Sequence, residues 1–211
     1  ESIPERMFFG CSELKSIALP ESASTIGLGA FAYCGKLESI GLGSVVNIGQ
    51  QAFYSCTGLI NVEIPKSVTE IGMGAFGYCR ALEDIIIPSG VTAINNDTFN
   101  GCTSLVSIEL PKSISVFGTN VFYGCNALKY VYCYEGSAVD NYIKENYENL
   151  TEKYIVEDNS IVVDDINREN NSFNVTVNTE KFGGEGGKYL EQVSVLSDDV
   201  EKKIINYQYD S

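Results

Sequence analysis

Cys11, Cys34, Cys56, Cys79, Cys102 and Cys125 follow one another at intervals of 23, 22, 23, 23 and 23 residues. Self-similarity at a fixed period of this length marks a repeat architecture, in which each copy is one supersecondary unit. Other columns travel with the cysteines. Three residues before each stands Phe8, Phe31, Phe53, Phe76, Phe99 or Phe122, and three after stands Leu14, Leu37, Leu59, Leu82, Leu105 or Leu128. Six after comes Ile17, Ile40, Val62, Ile85, Ile108 or Val131, and eight after a further Leu or Ile, replaced by Cys133 in the last copy. The unit reads FxxCxxLxxIxLPxSVxxIGxxA.

The spacing within the unit sets local structure. In LxxIxL the last two apolar positions alternate, as in a short strand with one face inward. Pro20, Pro65, Pro88 and Pro111 then end the strand, since proline has no N–H for a ladder. The AFxxC stretch lacks alternation and is expected to form a short helical or 3₁₀ turn. One copy has too little core to fold alone, but stacked copies bury a continuous one. The 22-residue copy loses its residue near Gly43–Ser44, in a turn, while Leu42 and Ile48 stay in phase. Ile3 aligns with Ile26 and Met7 with Ala30, so the chain opens in the second half of a repeat, and further repeats before Glu1 or a trimmed fragment are expected.

With these columns in hand, the chain resembles the BspA-like leucine-rich repeats, also called the Treponema pallidum type. "IGxxAFxxC" joined to "LxxIxLP" is that family's signature, and the likeness spans roughly Ile3 to Leu150. Thr98 and Val121 depart from it at the alanine column and Asn95 at the glycine column, softening single layers. The resemblance implies a surface or secreted bacterial protein, several members being adhesins toward host proteins or other cells.

After Cys133 the pattern ends. Ser137-Ala-Val-Asp140 reads as a capping box, and Val139, Tyr142, Ile143 and Tyr147 give one apolar helical face. The segment from Gly136 to Asn146 resembles the family's terminal "GSxAxxYxKEN" and is assigned as the cap. The fold class is therefore a leucine-rich-repeat solenoid with a helical cap over residues 1–150, followed by a small β-rich unit over 151–211. Strand-like stretches there are 161–163, 172–177, 189–195 and 204–209, with a turn at Gly183–Gly187.

Composition limits function. The chain has no histidine, which removes the commonest acid–base group near neutral pH and the commonest metal ligand. The net charge of −14 argues against nucleic acid and against an anionic membrane surface. No apolar run reaches a membrane span of about 20 residues. No phosphate loop, GxSxG or close cysteine pair for zinc is present. No catalytic residue, cofactor or metal is expected. Asp164–Asp165 and Asp198–Asp199 suit a calcium ligand set on paper, but solvated turn residues are the reading preferred. The cysteines share one column, so free, buried, stacked thiols are expected, with disulfides between neighbouring layers as the alternative.

Binding remains. Outward residues on the strands are small and polar at the start and richer toward Asp84, Ile86, Glu109, Tyr130 and Tyr132. Exposed tyrosines bury area at little entropic cost, and these five form the candidate partner-binding face; the alternative is a solvated strand face beside the cap, with the tyrosines covering the last layer. A second aromatic group beside the cysteines (Phe9, Tyr33, Tyr54, Tyr78 and Tyr123) is read as half-buried packing on the turn side. The function expected is a monomeric, non-enzymatic interaction or adhesion module, with a protein or glycan partner on a host or neighbouring cell. Alternatives are a passive spacer or an enzyme sited in the tail.

Overall fold

The computed structural model describes residues 1–147 and 150, and the backbone of five strands between 151 and 209. These group into two compact units, Glu1–Glu152 and Lys153–Ser211.

The first unit is a solenoid whose coils each bring two short strand segments into register. In chain order these are β1 (Ser2–Ile3), β2 (Ser16–Ala18), β3 (Thr25–Ile26), β4 (Ser39–Gly41), β5 (Asn47–Ile48), β6 (Glu70–Ile71), β7 (Asp84–Ile86), β8 (Ala93–Ile94), β9 (Ser107–Glu109), β10 (Val116–Phe117) and β11 (Tyr130–Cys133). All pair in parallel with the same position of the next coil: Ile3 beside Ile26, Ile17 beside Ile40, Ile85 beside Ile108 beside Val131. One series runs β1-β3-β5-β6 and resumes as β8-β10; the other runs β2-β4 and resumes as β7-β9-β11. The second gap is a departure from expectation. Asn61–Glu63 keep Val62 buried but form no strand, and the bonds bracketing the coil, Ile60 N–H to Glu38 O and Glu83 N–H to Ile60 O, are long at 3.3 Å each.

The shortened turn is closed by Gly43, whose φ of +54° is left-handed, and Val45 N–H reaches Leu42 O at 3.2 Å. In the longer copies the matching bond runs to proline, as Val68 N–H to Pro65 O at 3.0 Å. The AFxxC stretches form turns closed by i to i−3 bonds, the spacing of 3₁₀ geometry. Alternate N–H groups instead cross to the next coil: Phe31 to Ala52 O and Tyr33 to Tyr54 O, both 2.8 Å.

The glycine column has a steric cause. The N–H of Gly27, Gly49 and Gly72 donates to Ile3, Ile26 and Ile48 O of the preceding coil, each at 2.8 Å. A Cβ on Gly49 would stand 2.5 Å from Ile26 O. Asn95 solves the same problem differently. Its side-chain amide donates to Ile71 O at 2.7 Å, and at this coil the strand series is interrupted between β6 and β8. Beside it, Thr98 is fully buried with its hydroxyl donating to Asn95 O at 2.8 Å. The departures from the repeat thus repair one another's hydrogen bonding.

The core is a stack of rings. Phe8, Phe31, Phe53, Phe76, Phe99 and Phe122 lie nearly parallel, with centroids 4.9 to 6.0 Å apart. From the second copy on, the Phe, Cys, Leu and Ile/Val columns are buried. Helix α1 (Ala138–Asn146) closes the last layer. Ser137 is its N-cap, the hydroxyl accepting from Asp140 N–H at 3.2 Å. The reciprocal arm reaches one residue further back than a capping box, Asp140 accepting from Gly136 N–H at 2.8 Å. Tyr142 stacks flat on Phe117 at 3.8 Å, and Tyr147 meets Phe122 edge-on at 5.7 Å.

In the second unit β12 (Thr151–Ile155), β13 (Ile161–Asn167) and β14 (Ser172–Val177) form an antiparallel meander. Separately, β15 (Lys188–Gln192) and β16 (Asn206–Tyr209) pair antiparallel. Asp164–Asp165 therefore fall within a strand and not in a turn. Asp198–Asp199 and Gly183–Gly187 lie outside the described residues.

Candidate functional site

Parallel in-register pairing of β7, β9 and β11 turns the two outward positions of each strand into two rows. Asp84, Ser107 and Tyr130 are neighbours in one row; Ile86, Glu109 and Tyr132 are neighbours in the next. The five candidate residues are thus gathered on one strand face, two positions apart along each strand so that they share a side. Asp84 and Ile86 are exposed, Ile86 at 57%. Tyr130 and Tyr132 are half-buried and not the exposed rings the sequence suggested, and Glu109 is also half-buried. The Lys129 ammonium lies 4.7 Å from the Tyr130 ring centroid, which covers part of that ring. On β2 and β4 the corresponding positions are Ser16, Ala18, Ser39 and Gly41.

None of the seven cysteines is in a disulfide. Cys34, Cys56, Cys79, Cys102 and Cys125 each donate the thiol to the carbonyl of the preceding coil's core phenylalanine, at 3.0 to 3.2 Å. Each of these carbonyls already accepts the N–H of the cysteine in its own coil, so the thiol is a second donor that ties one coil to the next. Burial pushes the Cys79 thiol up to about 12 and raises Cys34 and Cys56 as well. In the Cys102–Cys125 pair a shared hydrogen bond raises Cys102 and lowers Cys125. Protonated, buried thiols are poor nucleophiles and poor metal ligands. Among the described residues no group of three or more metal-ligating side chains converges.

A groove of about 480 Å³ runs across the glycine column, between Thr25, Asn47 and Glu70 on one wall and Leu28, Gln50 and Met73 on the other. Its lining includes a single carboxylate, Glu70, short of the pair used in glycoside hydrolysis.

The second aromatic group differs from expectation. Tyr54 and Tyr78 are half-buried, but Phe9, Tyr33 and Tyr123 are exposed at 49%, 50% and 70%. Phe9, Tyr33, Tyr54 and Tyr78 meet in sequence, 5.3, 5.7 and 5.3 Å apart and tilted by 61 to 64°. The arrangement is a checkerboard over two columns: Phe9-Gly10, Ala32-Tyr33, Tyr54-Ser55, Gly77-Tyr78 and Asn100-Gly101. Each ring lies where the next coil has a small residue. A Cβ on Gly77 would come within 3.0 Å of the Tyr54 ring, and one on Gly101 within 2.8 Å of the Tyr78 ring. The second column is left-handed in every coil, because that geometry aims its N–H at the next coil. Gly10, Gly101 and Gly124 accept this freely; Tyr33 and Tyr78 adopt φ of 64° and 59°. A left-handed L-residue costs about 1–2 kcal/mol, and an edge-to-face pair contributes about 0.5–1.5 kcal/mol. For two such tyrosines and three such pairs these two effects are of similar size, and the area that the rings bury is stabilising in addition.

The sequence model of the BspA type leucine rich repeat region matches residues 1–80 and 69–173, in six copies. No curated protein matches the chain. Among solved structures, a leucine-rich repeat protein from Bacteroides ovatus is 32% identical with a TM-score of 0.63, over 72% of this chain and 39% of that one. The chain thus spans well under half of that protein. The T. pallidum leucine rich repeat protein is 29% identical with a TM-score of 0.54, over 60% of this chain and 71% of its own. A leucine rich cell surface protein from Faecalibacterium prausnitzii, 24% identical over 82% of this chain and 48% of its own with a TM-score of 0.51, shares the fold.

Proposed function

The chain belongs to the BspA-type leucine-rich-repeat family, and we propose that it is a non-enzymatic adhesion module of a bacterial surface or secreted protein, docking a protein partner on the strand face. Stacked repeats generally present extended surfaces for binding. The observation that carries the reading is the pairing of β7, β9 and β11, which sets Asp84, Ile86, Glu109, Tyr130 and Tyr132 in two adjacent rows. Tyrosine is favoured at the buried centre of an interface, and acidic side chains belong to its polar rim. The cell-surface description of the Faecalibacterium relative supports the location. With a net charge of −14 the partner is not nucleic acid. The bland face of β2 and β4 supports a second reading, a passive spacer.

The test is a protein array probed with the full chain and with Tyr130→Ala/Tyr132→Ala. Binding partners that bind the wild type and lose the double variant support the face. Partners that hold both equally remove it, and an array with no partner at all favours the spacer.

A further inference from the structure

The turn-side strip of Phe9, Tyr33, Tyr54 and Tyr78 is separate in sequence and in its contacts from the strand face proposed above. It presents one aromatic ring per coil over four coils, alternating between two columns, at steps of 5.3 to 5.7 Å. The rings stay open after packing on one another, Phe9 and Tyr33 to half of their surface. The backbone at Tyr33 and Tyr78 is left-handed, at positions that glycine fills in other coils, and half of the Tyr33 surface still faces solvent.

We infer that this strip is a binding platform for an unbranched, uncharged glycan, seated with about one sugar ring per coil. The flat faces of a pyranose carry C–H bonds that stack on aromatic rings, and its rim of hydroxyls needs hydrogen-bond partners at the edges of the same platform. The phenol groups of three tyrosines and the Ser55 hydroxyl supply them. The Tyr54 phenol is raised by burial and by Tyr78, Tyr33 and Asp97, so it remains a donor at any physiological pH. A β-1,4-linked chain turns over at each sugar, and the rings alternate likewise, Phe9 and Tyr54 in one column and Tyr33 and Tyr78 in the other.

Charge selects against the other polymer that stacks on aromatic files. Single-stranded nucleic acid uses such platforms inside positively charged grooves. Here the chain carries −14, and the charged side chains Glu5, Arg6 and Asp97 lie beside the strip. Arg6 lies 3.9 Å from Glu5 and over Phe9 at 5.8 Å, and Asp97 accepts from the Asn100 amide at 2.8 Å. A neutral polyol is the ligand that this surface complements.

The test uses the full chain with hydroxyethylcellulose in affinity gel electrophoresis and cellohexaose in a fluorescence titration. Tyrosine is the only fluorophore of weight, since the chain has 13 Tyr and no Trp. Oligo-dT serves as the control polymer. Wild type should be retarded by the cellulose ether and report cellohexaose. Tyr33→Gly/Tyr78→Gly removes two rings while relieving their backbone, so it should stay folded and bind at least tenfold more weakly. Tyr54→Leu, at ordinary φ, is the second variant and should weaken binding on its own; if the glycine pair does not fold, it decides alone. No retardation of wild type, stronger binding of oligo-dT than of glycan, or variants that bind as wild type would overturn the inference.

Discussion

The steric reading of the glycine column makes a prediction in which the larger substitution is tolerated better than the smaller. Gly35 and Gly49 both have ordinary φ, so alanine at either restricts the unfolded chain equally, a stabilising effect of about 0.4–1 kcal/mol. In the folded state they differ. A Cβ at Gly35 meets only Thr57 Oγ1, at 3.6 Å, which is ordinary contact. A Cβ at Gly49 meets three backbone atoms of the preceding coil, Ile26 O at 2.5 Å and Gly27 C and O at 2.9 and 3.0 Å. The coils must part, at about 1–3 kcal/mol for overpacking. Parting also weakens the 2.8 Å bond from Gly49 N–H to Ile26 O, worth about 0.5–1.5 kcal/mol. Gly49→Ala should therefore lie about 1.5–4.5 kcal/mol below Gly35→Ala, the sum of those two effects. Gly49→Asn should recover part of the loss, because its amide can reach Ile26 O as Asn95 reaches Ile71 O at 2.7 Å. Urea midpoints with a common slope measure all three. Equal stability of the two alanine variants, or asparagine worse than alanine at position 49, would refute the account.

Two further outcomes follow from the spine. Phe76→Ala, at a fully buried ring stacked between Phe53 and Phe99, should destabilise by about 3–5 kcal/mol in urea unfolding; a loss under 1 kcal/mol would mean that the layers collapse independently. Stability should also fall in alkali. The Cys79 thiol is raised from 9.0 to about 12, so folded and unfolded states hold the proton alike below pH 9, and only the unfolded state releases it between pH 9 and 12. Its contribution is whole below pH 9 and declines by about 1.4 kcal/mol per pH unit above it. Urea midpoints at pH 8, 9.5 and 10.5 should drop for the wild type and drop less for Cys79→Ala; identical slopes would refute the assignment.

The solenoid was legible because its period is carried by side chains that burial selects. A one-residue slip would move Phe76 or Leu82 out of line, so the columns record the core directly. What depends on distances between coils was not legible. Asn95 read as a softened layer, yet its amide restores the bond that a glycine N–H makes elsewhere. Asn61–Glu63 read like the strands of the neighbouring coils, yet they form none, and the bonds around Ile60 are long. For the candidate face, alternation along β7, β9 and β11 placed the five residues on one side, while the partial cover of Tyr130 and Tyr132 depends on neighbours such as Lys129. The turn-side strip was missed as a surface. Its signal was present, in rings alternating with Gly, Ala and Ser between two adjacent columns, but exposure and left-handed backbone are not written in composition.

The thiol column has a practical consequence. Cys11 is open to solvent, whereas the following five sulfurs are shut inside successive coils, each tied to a carbonyl of the coil before. A maleimide added to the native protein should mark Cys11 at once and the others only as their own coil opens. Peptide mapping of the labels over time would then read fraying position by position, with no engineered probe, and reveal from which end this rod comes undone.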